Sequence, residues 1–184
     1  MLSALCLASL TVLIQPASSF TKPVPTSDTI PVFPQVNGSS LTRRKVSLPA
    51  DFEGELNVVV IAFKRKQQED VDTWMPHLRP LMADHLGLRV YELPVLPRSL
   101  TLMRGVIDGG MRGGIPDSSV RAATITLYIN KTPFKNALAI KTEDRIEVVL
   151  VDRKGTVHWR AMGVFSETAL RELTHKLETI RNPT

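Results

Sequence analysis

The segment Lys64-Arg65-Lys66-Gln67-Gln68 places three cations and two amides where an apolar strand gives way to a helix. The first turn of a helix carries N–H groups without backbone partners and the positive end of the helix dipole, so it attracts anions. The three cations strengthen that attraction. We therefore expect residues 64–68 to form a docking surface for an acidic partner, a lipid headgroup or a small anion. The alternative interpretation is a solvated loop.

Glycine is concentrated in residues 108–117, DGGMRGGIPD. This spacing matches neither phosphate-binding pattern, because there is no GxxxxGK[ST] and no strand that leads into GxGxxG. We expect the glycines to end a helix and to permit tight turns. Asp108, Arg112 and Asp117 are predicted to form a salt-bridged loop that shapes a groove beside Gln68.

Metal and nucleophilic chemistry have little support in the sequence. The single cysteine, Cys6, excludes an intrachain disulfide, a dithiol pair and a cysteine-rich metal site. The histidines provide no pair at i and i+4, and no GxSxG nucleophile motif occurs. They are His77, His85, His158 and His175. We predict no catalytic residue, no metal site and no cofactor.

The amino-acid composition excludes several classes of protein. The 184 residues are 43% hydrophobic and 22% charged, which excludes a wholly disordered chain and a multispan membrane protein. The net charge of +5 is too small and too dispersed for a dedicated nucleic-acid binder. We therefore expect one globular domain with no nucleic-acid partner.

The N-terminus has the pattern of an export signal. Met1–Ile14 is almost entirely apolar but too short to span a bilayer, and Ala17-Ser18-Ser19 supplies small residues for cleavage after Ser19. We predict a signal peptide over residues 1–19 and an exported protein, with an uncleaved membrane anchor as the alternative. Residues 20–46, rich in Pro and ending in Arg43-Arg44-Lys45, are predicted to be a linker that makes at most weak contact with anionic lipid.

Residues 47–182 carry alternating strand and helix patterns. The run Leu56–Phe63 is apolar and β-branched, as in a strand buried on both faces. An apolar helical face follows between Val71 and Met82. Further strands are predicted over 88–93, 124–130, 145–151 and 156–159. Further helices are predicted around 100–107, from Thr132-Pro133, and from Ser166, with 100–107 stopped at Asp108.

This order predicts an α/β protein, a three-layer sandwich around a mixed sheet. The first strand, helix and strand form a parallel crossover. The turn Asp152-Arg153-Lys154-Gly155 makes the last two strands an antiparallel hairpin, which a final helix follows.

The pattern resembles the thioredoxin-like fold, with one additional strand and helix before the final hairpin. The matching pieces are Val58–Phe63 leading into a helix, Pro76 within that helix, and Val148–Arg160. Aligning Phe63 and Pro76 with the thioredoxin pattern puts Gln68 and Val71 at the positions of the two redox cysteines. The position of the family's cis-proline falls near Ile146 or Glu147, where the chain has no proline. The resemblance therefore implies a protein without dithiol activity.

A closer resemblance is to the thioredoxin-like family of mitochondrial ATP synthase assembly factors and its bacterial relatives. The pieces that carry it are Leu48-Pro49, Ile61-Ala62-Phe63, Asp72-Thr73-Trp74, Met111–Pro116 and Leu150–Arg160. It implies a role in assembling the membrane sector of ATP synthase.

We therefore expect a non-catalytic binding or assembly factor, exported to the periplasm or cell exterior, for envelope or membrane proteins. Its docking surface would be Lys64, Arg65, Lys66, Gln67, Gln68, Asp108, Arg112 and Asp117. Two alternatives stay open: an enzyme or antioxidant-type protein of redoxin descent that uses non-thiol chemistry, and a structural or lipid-binding protein of the periplasm.

Overall fold

A computed structural model describes residues 31–182, so the predicted signal peptide, Cys6 and residues 20–30 of the predicted linker lie outside the described residues. Seven strands form one sheet in the order β2-β1-β5-β4-β3-β6-β7. The strands are β1 Val36–Ser40, β2 Lys45–Leu48, β3 Leu56–Ala62, β4 Leu88–Pro97, β5 Ile125–Ile129, β6 Glu147–Asp152 and β7 Val157–Met162. Since β3, β4 and β5 pair in parallel and the others antiparallel, the predicted mixed sheet is confirmed.

Five α-helices accompany the sheet in the described residues. They are α1 Gln68–Asp84, α2 Arg104–Gly114, α3 Ser118–Ala123, α4 Lys131–Ala137 and α5 Glu167–Arg181, with short 3₁₀ turns at Arg65–Gln67 and Arg98–Met103. None of these helices is long and apolar enough to cross a membrane.

Helices cover both faces of the sheet, which gives the predicted three layers. Trp74 and Leu78 of α1 and Leu173 and Leu177 of α5 pack on one face of β3 and β6. On the opposite face, Phe134 of α4 and Leu138, which caps its C-terminus, join a second apolar cluster. The central strand β3 is buried on both faces, as its continuous apolar run predicts.

The structure corrects the predicted linker over its described part. Residues 36–48 form a hairpin in which Val36 pairs with Leu48, and β1 also pairs with β5. The three cations that were expected to end a tether lie at and just after the hairpin turn. Leu41 and Val46 are buried, so their apolar surface supplies the stabilisation that the proline-rich composition did not reveal. The folded domain therefore begins before residue 47.

Two predicted element ends are also wrong. Strand β4 does not stop at Pro94 but continues to Pro97, because β3 ends opposite Pro94 and leaves one edge of β4 without a ladder there. Helix α2 does not stop at Asp108 but runs to Gly114. The predicted hairpin β6–β7 and the N-cap Ser166 of α5 are confirmed, with Gly155 at a positive φ of 90° in the turn.

Candidate functional site

A cleft of about 770 Å³ lies between α1 and α2, over the C-terminal half of β4. Its lining includes Lys64, Arg65 and Gln68 from the start of α1, together with Gly110 and Gly114 from α2. Three residues of the predicted basic turn therefore share one cavity with glycines of the 108–117 segment, whereas Asp108, Arg112 and Asp117 do not line it. In open α/β sheets, ligands bind beyond the carboxyl ends of the parallel strands. The cleft lies at the carboxyl ends of β3 and β4.

Some residues of the basic turn, residues 64–68, line the cleft, and others hold the turn together or lie outside the cleft. Lys64 and Arg65 line the cleft, and the ammonium of Lys64 lies 2.6 Å from Asp144 Oδ1. Gln67 does not reach the cleft. It is buried, and its Oε1 accepts hydrogen bonds from the backbone N–H groups of Phe63 and Lys64. Lys66 is exposed outside the cleft lining.

Gln67 holds the turn that opens α1. Its Nε2 also donates to the carbonyl of Glu143 at 2.9 Å, so one amide pairs with three backbone groups. We predict that Gln67→Leu lowers the free energy of unfolding by about 2–3 kcal/mol, because buried backbone groups lose their partners. Urea denaturation measures the loss. The neighbouring Gln68→Leu is the control, and equal stability of the two variants would contradict this role.

The predicted salt-bridged loop of Asp108, Arg112 and Asp117 does not form, since none of the ion pairs among residues 31–182 joins these side chains. Asp108 is buried and accepts a 2.8 Å hydrogen bond from the Tyr128 hydroxyl. Arg112 donates from Nε to the carbonyl of Leu41 at 2.8 Å. Asp108 and Arg112 therefore each anchor α2 through a contact of their own.

Asp117 caps a different helix. It is exposed, and its carboxylate accepts from the backbone N–H and the hydroxyl of Ser119, which lowers the pKa of Asp117. This contact begins α3 and lies outside the cleft lining. The predicted groove beside Gln68 exists, but Gly110, Met111 and Gly114 shape it rather than the three charged residues.

Two carboxylates in the cleft were missed as site residues. Glu92 of β4 and Asp72 of α1 both line it. Burial raises the pKa of Glu92, the Asp72 charge raises it further, and a hydrogen bond with Gln68 opposes the rise. The available sequence signal was a glutamate in the second half of β4, where the other residues from Tyr91 to Pro97 carry no charge. Asp72 appeared only as part of a family motif.

Burial of Glu92 predicts a pH-dependent stability. Since the raised pKa belongs to the folded state, the folded protein holds this proton at higher pH than the unfolded chain does, and stability falls as pH rises through that interval. Glu92→Gln is therefore expected to raise the free energy of unfolding at about pH 7, with the gain vanishing by about pH 4. Denaturation at both pH values, with the exposed Glu69→Gln as control, measures it. A stabilisation that persists at low pH would contradict the titration of Glu92.

The two positions that would carry the redox cysteines of a thioredoxin differ in solvent exposure. Gln68 is exposed at the cleft, whereas Val71 is fully buried on the inner face of α1. Neither side chain can form a thiolate, the nucleophile of disulfide exchange. Residues 31–182 also contain no group of three or more His, Cys, Asp or Glu side chains placed to hold a metal ion. The cleft offers apolar contact, hydrogen bonds and charge, which are the means of binding.

No protein-family model matches the sequence, and no curated protein matches it. Solved structures do match. A candidate electron transport protein from Aquifex aeolicus VF5 superimposes with a TM-score of 0.59 at 10% identity, covering 83% of this chain and 98% of that one. BsSco, of the Sco family of cytochrome c oxidase assembly proteins, gives 0.54 at 11% identity, with coverages of 82% and 95%.

An exposed lipoprotein thioredoxin from Streptococcus pneumoniae gives a TM-score of 0.51 at 10% identity, covering 79% of this chain and 98% of that one. These similarities extend over most of both chains, but the identities are low. They establish a thioredoxin-like α/β fold, as predicted.

Proposed function

We propose that this chain is an exported, non-catalytic thioredoxin-fold protein that binds a partner in the α1–α2 cleft and assists the assembly of envelope or membrane proteins. The observation that carries the proposal is the cleft itself. It occupies the end of the sheet where thioredoxins hold their cysteines, and here Gln68 and apolar side chains of α2 line it. Such a surface binds without exchanging disulfides.

The exposed apolar residues of one segment favour a protein partner. Leu102, Met103 and Val106 are all more than half exposed, and Val106 lines the cleft. Clusters of large exposed apolar side chains mark interaction surfaces. The resemblance to ATP synthase assembly factors, and the assembly role of the structurally similar BsSco, add support for assembly as the purpose of binding.

Affinity capture tests the proposal. The full chain, tagged at its C-terminus in its native host, is captured from detergent-solubilised membranes, and the co-purifying proteins are identified. Enrichment of ATP synthase membrane-sector subunits would support the specific assembly role. Enrichment of another envelope protein would support binding but not that role. If no protein is enriched over an untagged control, or if the chain turns over disulfide or peroxide above the buffer rate, the proposal is overturned.

A further inference from the structure

The cleft contains two carboxylates that no cation of the described chain neutralises. Glu92 projects from β4 and Asp72 from α1, and neither belongs to any of the five ion pairs among residues 31–182. Gln68 lies beside both, because its Nε2 donates to Asp72 Oδ1 at 3.0 Å and its side chain also lowers the pKa of Glu92. One neutral amide is thus the polar partner that these two acids share.

The two cations that line the cleft, Lys64 and Arg65, form no ion pair with either acid. Lys64 pairs with Asp144, and Arg65 is exposed. Glu143, another partly buried acid, is by contrast paired with two cations. Its carboxylate lies 2.7 Å from the Lys131 ammonium and 2.9 Å from the Lys135 ammonium. Those two lysines lower the pKa of Glu143, whereas that of Glu92 is raised. A largely buried carboxylate without a counter-charge is costly to ionise, and its place in the cleft makes Glu92 a candidate partner for a ligand cation.

The wall opposite Asp72 suits a helix. Val106, Ile107 and Met111 of α2 line the cleft with apolar surface, and Gly110 and Gly114, one turn apart, line it as well. A Cβ added at either glycine would meet no atom within 4 Å, so packing inside this chain does not require them to be small. Glycines four residues apart permit close approach of a second helix backbone. A groove between two helices with apolar walls is a recurrent docking site for an amphipathic helix.

Resting on the proposed function, we infer that the partner inserts a helix whose apolar face carries one lysine or arginine, and that this cation pairs with Glu92 and Asp72. The apolar face packs on α2, and the cation gives a counter-charge to the partly buried Glu92 and to the exposed Asp72. Charge complementarity thus selects the partner segment: a helix with an acid at that position is repelled, and a wholly apolar one leaves the carboxylates unpaired.

Two fluorescent helical peptides of 18 residues test the inference on the full chain. Both have a leucine-rich face and an uncharged polar face, and they differ only in a lysine or a norleucine at the centre of the apolar face. We expect the lysine peptide to bind about tenfold more tightly at neutral pH, as for a desolvated charge pair. Glu92→Gln and Asp72→Asn should each reduce that preference, whereas Glu69→Gln, an exposed acid outside the cleft lining, should leave it unchanged.

The outcomes distinguish failure of the inference from failure of the proposed function. Equal binding of the two peptides, or an undiminished lysine preference in both cleft variants, overturns the inference and leaves the docking function standing. If neither peptide binds while a membrane partner is still captured, the inference alone fails. If neither peptide binds and nothing is captured, the proposed function fails as well. Binding to anionic vesicles that the cleft variants weaken, without any peptide preference, would identify lipid as the occupant and also overturn the inference.

Discussion

Val106→Glu is expected to weaken partner capture about a hundredfold, the effect of losing a central interface residue. Val106 is 74% exposed on α2 and lines the cleft, so its side chain contributes little to the core. A glutamate there would place a charge on the apolar wall, which the apolar face of a partner would have to desolvate. Folding should be unaffected, which a denaturation curve and the circular dichroism spectrum would verify.

Leu86 supplies the matched control. It is an exposed apolar residue, 89% accessible, between α1 and β4 at the opposite end of the strands from the cleft. Leu86→Glu introduces the same charge in place of an apolar side chain, and capture should be retained. Equal loss of capture in both variants, or loss only in Leu86→Glu, would place the binding surface elsewhere.

Asp108→Ala is expected to destabilise the protein by about 2–3 kcal/mol and to loosen α2. Asp108 is 6% exposed and accepts from the Tyr128 hydroxyl at 2.8 Å and, at 3.4 Å, from Thr126. These contacts fix a helix that contains five glycines, each of which disfavours the helical state by about 1 kcal/mol relative to alanine. Without the carboxylate, the Tyr128 hydroxyl loses its buried acceptor.

Hydrogen exchange together with urea denaturation measures the effect of Asp108→Ala. Amides in α2 should exchange faster than in the wild type, and capture should weaken because one wall of the cleft moves. Asp108→Asn keeps an acceptor for Tyr128 and should lose less stability. Asp117→Ala, which removes an exposed cap of α3, controls for the loss of a carboxylate near α2. Unchanged protection of α2 in Asp108→Ala would contradict the anchoring role.

The elements with strong periodicity were predictable from sequence. The apolar run of β3, the helical face of α1 and the turn between β6 and β7 each specify their own structure, because burial follows directly from a local pattern. The hairpin of β1 and β2 was not predictable, since its strands are short and prolines precede it. Its stability comes from contacts distant in sequence, such as the pairing of Ser39 with Thr126.

The position of the candidate site was predictable from the sequence, but the residues that line it were not. A basic turn at a strand–helix junction indicated the end of the sheet at which the cleft lies. The sequence could not separate buried Gln67 from exposed Gln68, because the turn that Gln67 pairs with and the loop that supplies the Glu143 carbonyl exist only in the fold. The continuation of α2 through its glycines, and hence the cleft wall, likewise depends on the tertiary partners of Asp108 and Arg112. Glu92 acquires its raised pKa only after α1 and α2 cover β4.

Site-specific photocrosslinking in the native host tests the central claim most directly. A photoreactive amino acid replaces Val106 in one variant and Leu86 in another, and the cells are irradiated before their membranes are solubilised. Binding through the α1–α2 cleft predicts a discrete crosslinked envelope or membrane protein from position 106 and none from position 86. A crosslink from position 86 alone, or none from position 106, would contradict the claim that this cleft is the binding surface.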